Sequence, residues 1–524
     1  MNGHGRLSVA AWAALALLAS LSLWFYATGG RVAYTMDSLT YRDAAVNFLA
    51  GHSLTASNVH SETPERVPLL QWPPSYPALW AVATFASAAD IDRVPSILTP
   101  LLLGITVLSM FWAVALLTGR PAIACLLATV GAFTPSSMAV FGHARSETLF
   151  LPCVLLAFGA LWKYKAAAGP AQQLGWLAMA AICVGLANWT RYTGVLFFPL
   201  LALSVLAVSG APPLRRFVHA SLTLLAALAL VAPLWLRNYH LTGSLSGSDR
   251  GGMARHVADR LLGDLAAMVE LLEHALFNFD TLLRAHLEVP MVAVAAFALI
   301  RAIRRYGCTP LPSAVAWTPL AWAVANLLFL LYARIFQRDV DLDYRMLAVA
   351  VPFVFLGFAP LIASAFSCCS DGWGKGLVVL VLALLVHTGL QEGRRVHENY
   401  AANKAPAWRA RFAIVYRDLT LASSTARALK ATIAELTAST LVLTDYRALW
   451  VRYLTGARAY AVSDAVSCTQ WLRTHEEGVL LSGYPADASN WASNPWAPEC
   501  MRANPRWRLI RVSGNTAHSL ILHE

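Results

Sequence analysis

A chain of 524 residues that is 57% hydrophobic, only 13% charged and carries 18 Trp departs from ordinary soluble proteins, whose charged fraction is about 25%. It reads as an α-helical polytopic membrane protein. Its net charge of +11 requires no nucleic-acid partner, because Lys and Arg concentrate in cytoplasmic loops and are attracted to anionic membrane lipids. Zinc-type Cys/His spacing, GxGxxG, P-loop and GxSxG motifs are all absent.

Residues 7–27 predict the first transmembrane helix. One Arg6 precedes this apolar run and no A-x-A site follows it. The charge-free run extends to Gly30, about 24 residues, which exceeds the ~7–15 of a cleavable signal core and matches the ~20 of a bilayer span. Asp37 then stands where the chain leaves the apolar run. Tyr41, Ala44, Ala45, Phe48 and Leu49 recur at helical spacing, and Gly51 is placed to end the helix in a left-handed residue. This predicts a short helix lying along the membrane surface. Asp37 or Ser38 also suits the N-cap of that helix, so local pattern alone leaves a capping role and a chemical role both open.

Further nearly charge-free runs lie at 94–118, 121–141, 148–162, 173–189, 192–206, 217–236, 289–300, 313–332, 346–367 and 376–391. With the first, they predict about eleven spans, the short ones at 148–162, 192–206 and 289–300 extending by a turn or tilting. A cytoplasmic N-terminus puts Arg120, Lys163, Lys165, Arg215, Arg216, Arg301, Arg304 and Arg305 on alternate inside connections, as the positive-inside rule requires. The outside connections are then 30–93, 142–147, around 190, 237–288, 334–345 and everything after about 392, and they hold nearly all the Asp and Glu.

The chain thus divides into a transmembrane domain over 1–391 and a small soluble α/β domain over 392–524 on the non-cytoplasmic face. The latter reads as helices at 423–436 and 446–454 with strands at 441–444, 459–462, 478–482, 507–512 and 519–522. Cys125, Cys153 and Cys183 fall in spans, and Cys308, Cys368 and Cys369 near cytoplasmic ends. Cys468 and Cys500 lie in the external tail, where a disulfide would persist; their pairing stays open.

Ionisable groups at span ends are costly and are functional candidates. The expected outside face collects Asp37, Asp43, Glu62, Glu65, His143, Arg145, Glu147, Arg191, Arg237, Arg338, Asp339, Asp341, Asp343 and Arg345. Arg145 and Glu147 occupy a very short turn, Arg191 interrupts two spans, and Tyr344-Arg345 precedes another. Snorkelling accounts for any one arginine; it accounts poorly for several converging on one face around a carboxylate. Trp72 and Trp80 read as interfacial anchors, and Asp339, Asp341 and Asp343 as a solvated loop rather than a cation site. His143 suits a proton carrier or a headgroup contact equally, and His219 and His387 read as packed or interfacial.

The segment Asp37-Ser-Leu-Thr-Tyr-Arg-Asp-Ala-Ala-Val-Asn-Phe-Leu-Ala-Gly-His-Ser-Leu54 resembles the opening external loop of the GT-C glycosyltransferases, in their protein-mannosyltransferase and aminoarabinose-transferase-like branch. Similar in the same order are Trp72-Pro-Pro-Ser-Tyr-Pro-Ala-Leu-Trp80, Ser146-Glu-Thr-Leu-Phe-Leu-Pro152, Asn188-Trp-Thr-Arg-Tyr-Thr-Gly194 and Tyr344-Arg-Met-Leu-Ala-Val-Ala-Val-Pro352. In the tail, Val442-Leu-Thr-Asp-Tyr-Arg and Tyr453-Leu-Thr-Gly-Ala-Arg-Ala-Tyr460 also fit. No single motif is specific; the ordered set is. One departure is Ser38, where the family often has Glu after the first Asp, which weakens the case for a metal-binding carboxylate pair.

The resemblance implies an enzyme of the bacterial inner membrane that moves a sugar from a polyprenyl-phosphate donor to a glycan, lipid or protein acceptor on the external face. Asp37 would be the base in an inverting displacement. Arg191 and Arg345, with Arg145, would bind phosphate, and Glu147 would orient an arginine or the acceptor. Tyr41, Tyr344 and His143 would line the substrate site. The resemblance fixes no cofactor, and a divalent cation stays open. The loop 237–288, with Gly243, Gly247, Gly251 and Gly252, suits a mobile cover. The alternative is a transporter or flippase of a lipid-linked or anionic substrate, which predicts inverted repeats and broken helices near the midplane. No repeat is visible, and the charges gather at one face. A structural subunit whose tail binds a partner is a third reading.

Overall fold

The computed structural model describes residues 8–57, 66–247, 268, 317–336 and 344–368, together with the strands 441–444, 458–461, 478–482, 507–513 and 516–520. The chain divides into two compact units, one of 1–32, 70–76 and 92–397, the other of 33–69, 77–91 and 398–524.

The first unit is helical. Its elements are α1 (Val9–Thr28), α4 (Val94–Thr118), α5 (Pro121–Ala132), α6 (Pro135–Phe141), α7 (Glu147–Ala166), α8 (Pro170–Thr190), α9 (Phe197–Val208), α10 (Pro213–Thr242), α11 (Trp317–Phe336) and α12 (Ala350–Cys368). Short 3-10 turns, Tyr192–Leu196 and Tyr344–Val349, precede α9 and α12. Among the described residues, α1, α4, α7, α8 and α10 are long and apolar enough to cross a membrane. The protein is therefore a multipass membrane protein.

The run expected at 121–141 is broken: α5 and α6 meet at 67°. Pro135 cannot continue α5, so Thr134 caps α6 instead, accepting from Ser137 N, while the Ser137 hydroxyl donates to the Gly131 carbonyl at 2.7 Å. The runs read at 148–162 and 217–236 lengthen into α7 and α10, whereas 192–206 divides into a 3-10 turn and α9. The runs at 289–300 and 376–391 lie outside the described residues.

Helices in a bilayer gain little from the hydrophobic effect against one another and associate through close packing and interhelical hydrogen bonds. Both are present. Phe158 of α7 stacks on Trp162 at 5.4 Å and meets Trp322 of α11 and Phe353 of α12 edge-on at 5.5 and 5.7 Å. Phe197 of α9 lies 5.3 Å from Trp322, whose indole N–H donates to Ser204 at 2.9 Å. At another point, the Trp24 indole of α1 donates to the carbonyl of Phe141, 117 residues away.

The second unit holds α2 (Met36–Leu49), the antiparallel pair β1 (Thr55–Ser57) and β2 (Arg66–Pro68), most of α3 (Ser75–Ser87), and a five-stranded sheet. The N-terminus of α2 is closed by a reciprocal box: the Thr35 hydroxyl accepts from Ser38 N, and the Ser38 hydroxyl accepts from Thr35 N at 2.8 Å. Asp37 is not the cap. Tyr41, Ala44 and Ala45 are buried, while Phe48 and Leu49, expected on the same face, are 42% and 41% exposed. Gly51 is left-handed (φ 82°), as its position predicted. Asp43 accepts from the backbone and hydroxyl of Ser57, which ties β1 to α2. Trp80 is not an interfacial anchor: it is fully buried, donates to the Ile91 carbonyl at 2.9 Å and packs edge-on to Tyr34.

In the sheet, β3 (Leu441–Thr444), β4 (Arg458–Ala461), β5 (Gly478–Ser482), β6 (Trp507–Ser513) and β7 (Thr516–Leu520) run in the order β4-β3-β5-β6-β7. All neighbours are parallel except β7, which turns back tightly on β6 with Ser513 opposite Thr516. That turn draws the last strand forward from the expected 519–522. The helices expected at 423–436 and 446–454 lie outside the described residues.

Removing the α2 cap with Thr35→Ala lowers unfolding stability by about 1 kcal/mol, more than Asp37→Asn does, in denaturant titrations of the detergent-solubilised protein.

Candidate functional site

Helices α7 and α8 are antiparallel neighbours joined by the connection 167–169, so the start of α7 and the end of α8 lie at one level. Glu147 is the first residue of α7 and Arg191 follows the last residue of α8. A carboxylate at a helix N-terminus and a cation at a helix C-terminus each match the helix dipole. The antiparallel packing brings the two together: Arg191 Nη1 lies 2.7 Å from Glu147 Oε1, with side chains 23% and 4% exposed. The same Nη1 donates to Ser146 Oγ at 3.2 Å. Nε and Nη2 of Arg191 have no partner among the described residues, which leaves one edge of the guanidinium fork uncommitted.

The turn that delivers Glu147 is itself buried. Arg145, Ser146 and Glu147 are 6%, 2% and 3% exposed, and the Thr148 hydroxyl donates to the Arg145 carbonyl at 2.7 Å. His143 is buried too; its Nδ1–H donates to the Ala139 carbonyl at 2.8 Å, which fixes the tautomer of the neutral ring. Tyr76, fully buried, sits in the same electrostatic neighbourhood. Burial above all, helped by the Glu147 charge and opposed by the Thr148 hydroxyl, pushes its phenol well above the usual range, so it stays protonated.

The backbone after Arg191 is clamped. Asn188 Nδ2 donates to the Tyr192 carbonyl at 3.2 Å, and the Tyr192 hydroxyl donates to the Leu70 carbonyl at 3.0 Å. Asn238 of α10 donates to the Tyr192 hydroxyl at 2.9 Å and to the Leu245 carbonyl at 3.1 Å. Two glycines permit this closeness. A Cβ on Gly194 would stand 2.5 Å from Asn188 N, and one on Gly247 (φ 76°) would stand 2.5 Å from the Leu70 carbonyl. The first residues of the expected 237–288 loop thus continue α10 or pack on residue 70; the remaining loop, Met268 apart, lies outside the described residues.

The structure therefore brings Glu147 and Ser146 onto Arg191 and shows Glu147 holding an arginine, while His143 and Arg145 lie buried just before Glu147 on the same turn. Asp37 and Tyr41 belong to the other unit, Asp37 half-buried in the first turn of α2 and Tyr41 in its core. Tyr344 and Arg345 open the 3-10 turn before α12. Sequence reasoning passed over Ser146, Tyr76, Tyr192 and Asn238. An Asn near the end of an apolar run was the available signal for the last of these.

Among the described residues, no group of three or more His, Cys, Asp or Glu is arranged to hold a metal ion. Beside Asp37, the Ser38 hydroxyl is engaged in the capping box.

No known family profile and no curated protein matches the sequence. Solved structures do. The chain is similar to the oligosaccharyltransferase of Archaeoglobus fulgidus, captured with a tethered acceptor peptide, at 12% identity and a TM-score of 0.57, covering 96% of this chain and 68% of that one. It is similar to ArnT of Cupriavidus metallidurans bound to undecaprenyl phosphate, at 13% identity and a TM-score of 0.55 over 88% of each chain. It is also similar to the mycobacterial arabinofuranosyltransferase AftD, at 14% identity and a TM-score of 0.50, spanning 97% of this chain and 37% of that much longer one. The fold is that of the GT-C membrane glycosyltransferases.

Glu147→Gln, which leaves half-buried Arg191 without its countercharge, costs about 1–2 kcal/mol of stability. The double change Glu147→Gln/Arg191→Gln recovers part of that loss in the same unfolding assay. Gly194→Ala destabilises comparably by driving a Cβ into the Asn188 backbone.

Proposed function

We propose that the protein transfers a sugar from a polyprenyl-phosphate donor to an acceptor on the extracytoplasmic face of the bacterial inner membrane. One observation carries the reading: in a GT-C fold, a half-buried arginine at a helix end is held by a buried carboxylate through one nitrogen while its Nε/Nη2 edge stays uncommitted among the described residues. A guanidinium edge of that kind matches two phosphate oxygens and never deprotonates. Arg145, on the adjoining buried turn, adds a second positive charge. The solved ArnT relative binds undecaprenyl phosphate, which supports a lipid-phosphate ligand. A lipid-linked donor enters laterally from the bilayer and needs no nucleotide-binding motif.

The reaction is a single displacement. The acceptor oxygen bonds to the anomeric carbon, the bond from that carbon to the phosphate oxygen breaks, and the polyprenyl phosphate departs with inversion. Arg191, Arg145 and Arg345 stabilise the charge that grows on the departing phosphate. Asp37 takes the acceptor's proton; because Thr35 and Ser38 close the helix, Asp37 is not needed as a cap. Tyr344, Tyr41 and His143 shape the sugar and acceptor sites, and the domain of 392–524 is extracytoplasmic. About eleven spans complete the membrane domain. An archaeal oligosaccharyltransferase of similar fold was crystallised with Zn and sulfate. The broken α5–α6 run is the feature nearest to a transporter, but the hydroxyls at its break, Thr134, Ser136 and Ser137, bond to one another and to the Gly131 carbonyl.

Mass spectrometry of cell-envelope lipids and glycans tests this in a deletion strain, with membrane levels of the variants matched. The native gene restores a sugar-sized mass that is lost in the deletion, Asp37→Asn does not, and Arg191→Gln restores about 1% or less of it. Full restoration by Asp37→Asn would refute the assignment of the base.

A further inference from the structure

The opposite ends of α7, α8 and α10 carry a second charged feature, about 24 Å along α7 from Glu147 at 1.5 Å per residue. Lys163 and Lys165 lie in the last turn of α7, and Arg215 and Arg216 in the first turn of α10. No Asp or Glu occurs between Glu147 and Asp249. Among the described residues, none of the four cations has a carboxylate partner. The positive-inside rule accounts for their side of the membrane but not for their fixed geometry.

That geometry comes from a buried polar junction. Tyr164, between the two lysines, donates to Ser209 at 2.9 Å and meets His219 Nδ1 at 3.0 Å, which joins the end of α7 to the start of α10. Arg215 stands one turn before His219 and donates through Nη2 to Gln173 Oε1 of α8 at 3.2 Å. Arg216 donates through Nε to the Ala211 carbonyl. Each guanidinium is thus held by one nitrogen, and its other N–H groups lack partners among the described residues. Alongside, Leu174, Leu214 and Phe217 are 47%, 77% and 63% exposed. Held cations without counterions beside a lipid-facing apolar wall match a phosphodiester headgroup with its acyl chains.

We propose that Lys163, Lys165, Arg215 and Arg216, with Gln173, form a binding site for an anionic phospholipid of the leaflet at this end of the helices. The site is separate from the Glu147–Arg191 cluster and does not depend on glycosyl transfer. Basic pockets between transmembrane helices bind anionic headgroups by the same electrostatics, with arginine adding a bidentate fork.

The test is native mass spectrometry of the full-length protein from nanodiscs of phosphatidylcholine with a minority of phosphatidylglycerol. Native protein retains phosphatidylglycerol preferentially. Lys163→Gln/Lys165→Gln/Arg215→Gln/Arg216→Gln reduces that retention at least tenfold, while Arg120→Gln, at an exposed cation outside the site, leaves it unchanged. Since removing four cations can disturb insertion, Arg215→Lys/Arg216→Lys, which keeps the charge, serves as the second variant; it retains less phosphatidylglycerol than native because the forks are gone. Native-level retention in the Lys pair, or in a correctly inserted fourfold variant, overturns the site. Displacement of the lipid by inorganic phosphate alone also overturns it, in favour of a soluble anion.

Discussion

The Glu147–Arg191 ion pair is the constraint on which the membrane unit depends. Glu147 is not tolerable alone where it lies, because burying an unpaired carboxylate costs several kcal/mol, and half-buried Arg191 supplies its countercharge. The two must arrive together, and they do so only because α7 and α8 pack antiparallel with a short connection. The pair therefore reports the register of those helices. The turn after Arg191 is packed to match: Tyr192, Asn188 and Asn238 knit it so tightly that glycine is the residue that fits at 194 and 247.

Scarcity of carboxylates organises the chemistry around that pair. From α7 to the end of α10, the chain offers one acid and six Lys or Arg side chains, Lys163, Lys165, Arg191, Arg215, Arg216 and Arg237. The acid pairs with an arginine at one end of the helices, and the four cations at the other end are left without a carboxylate partner among the described residues. Positive charge thus seeks phosphate at both levels: a sugar-carrying lipid at one and a structural lipid at the other, as proposed.

Much of the helical architecture was legible in the sequence, since long apolar runs without charge suit a bilayer and little else. Runs extended where polar ends could be accommodated, as in α7 and α10, and broke where Pro135 removed a donor, a distinction hydropathy alone does not draw. The Glu147–arginine contact was legible as a short turn facing an interrupted span. The capping of α2 was not, because Thr35, Asp37 and Ser38 all suit a cap and only the backbone decides among them. Trp80 misled for a related reason: an aromatic beside a proline-rich segment looks like an interface anchor until its indole is seen bonded inside the fold. Tyr76 and Asn238 gain meaning only from partners distant in sequence.

The most direct measurement is binding of a radiolabelled polyprenyl phosphate, without sugar, to the purified protein in detergent. Native protein and Asp37→Asn are expected to bind it alike, since the base acts on the acceptor, whereas Arg191→Gln weakens binding by about tenfold or more. Equal binding by native and Arg191→Gln proteins would contradict the claim that the carboxylate-held arginine is the phosphate site.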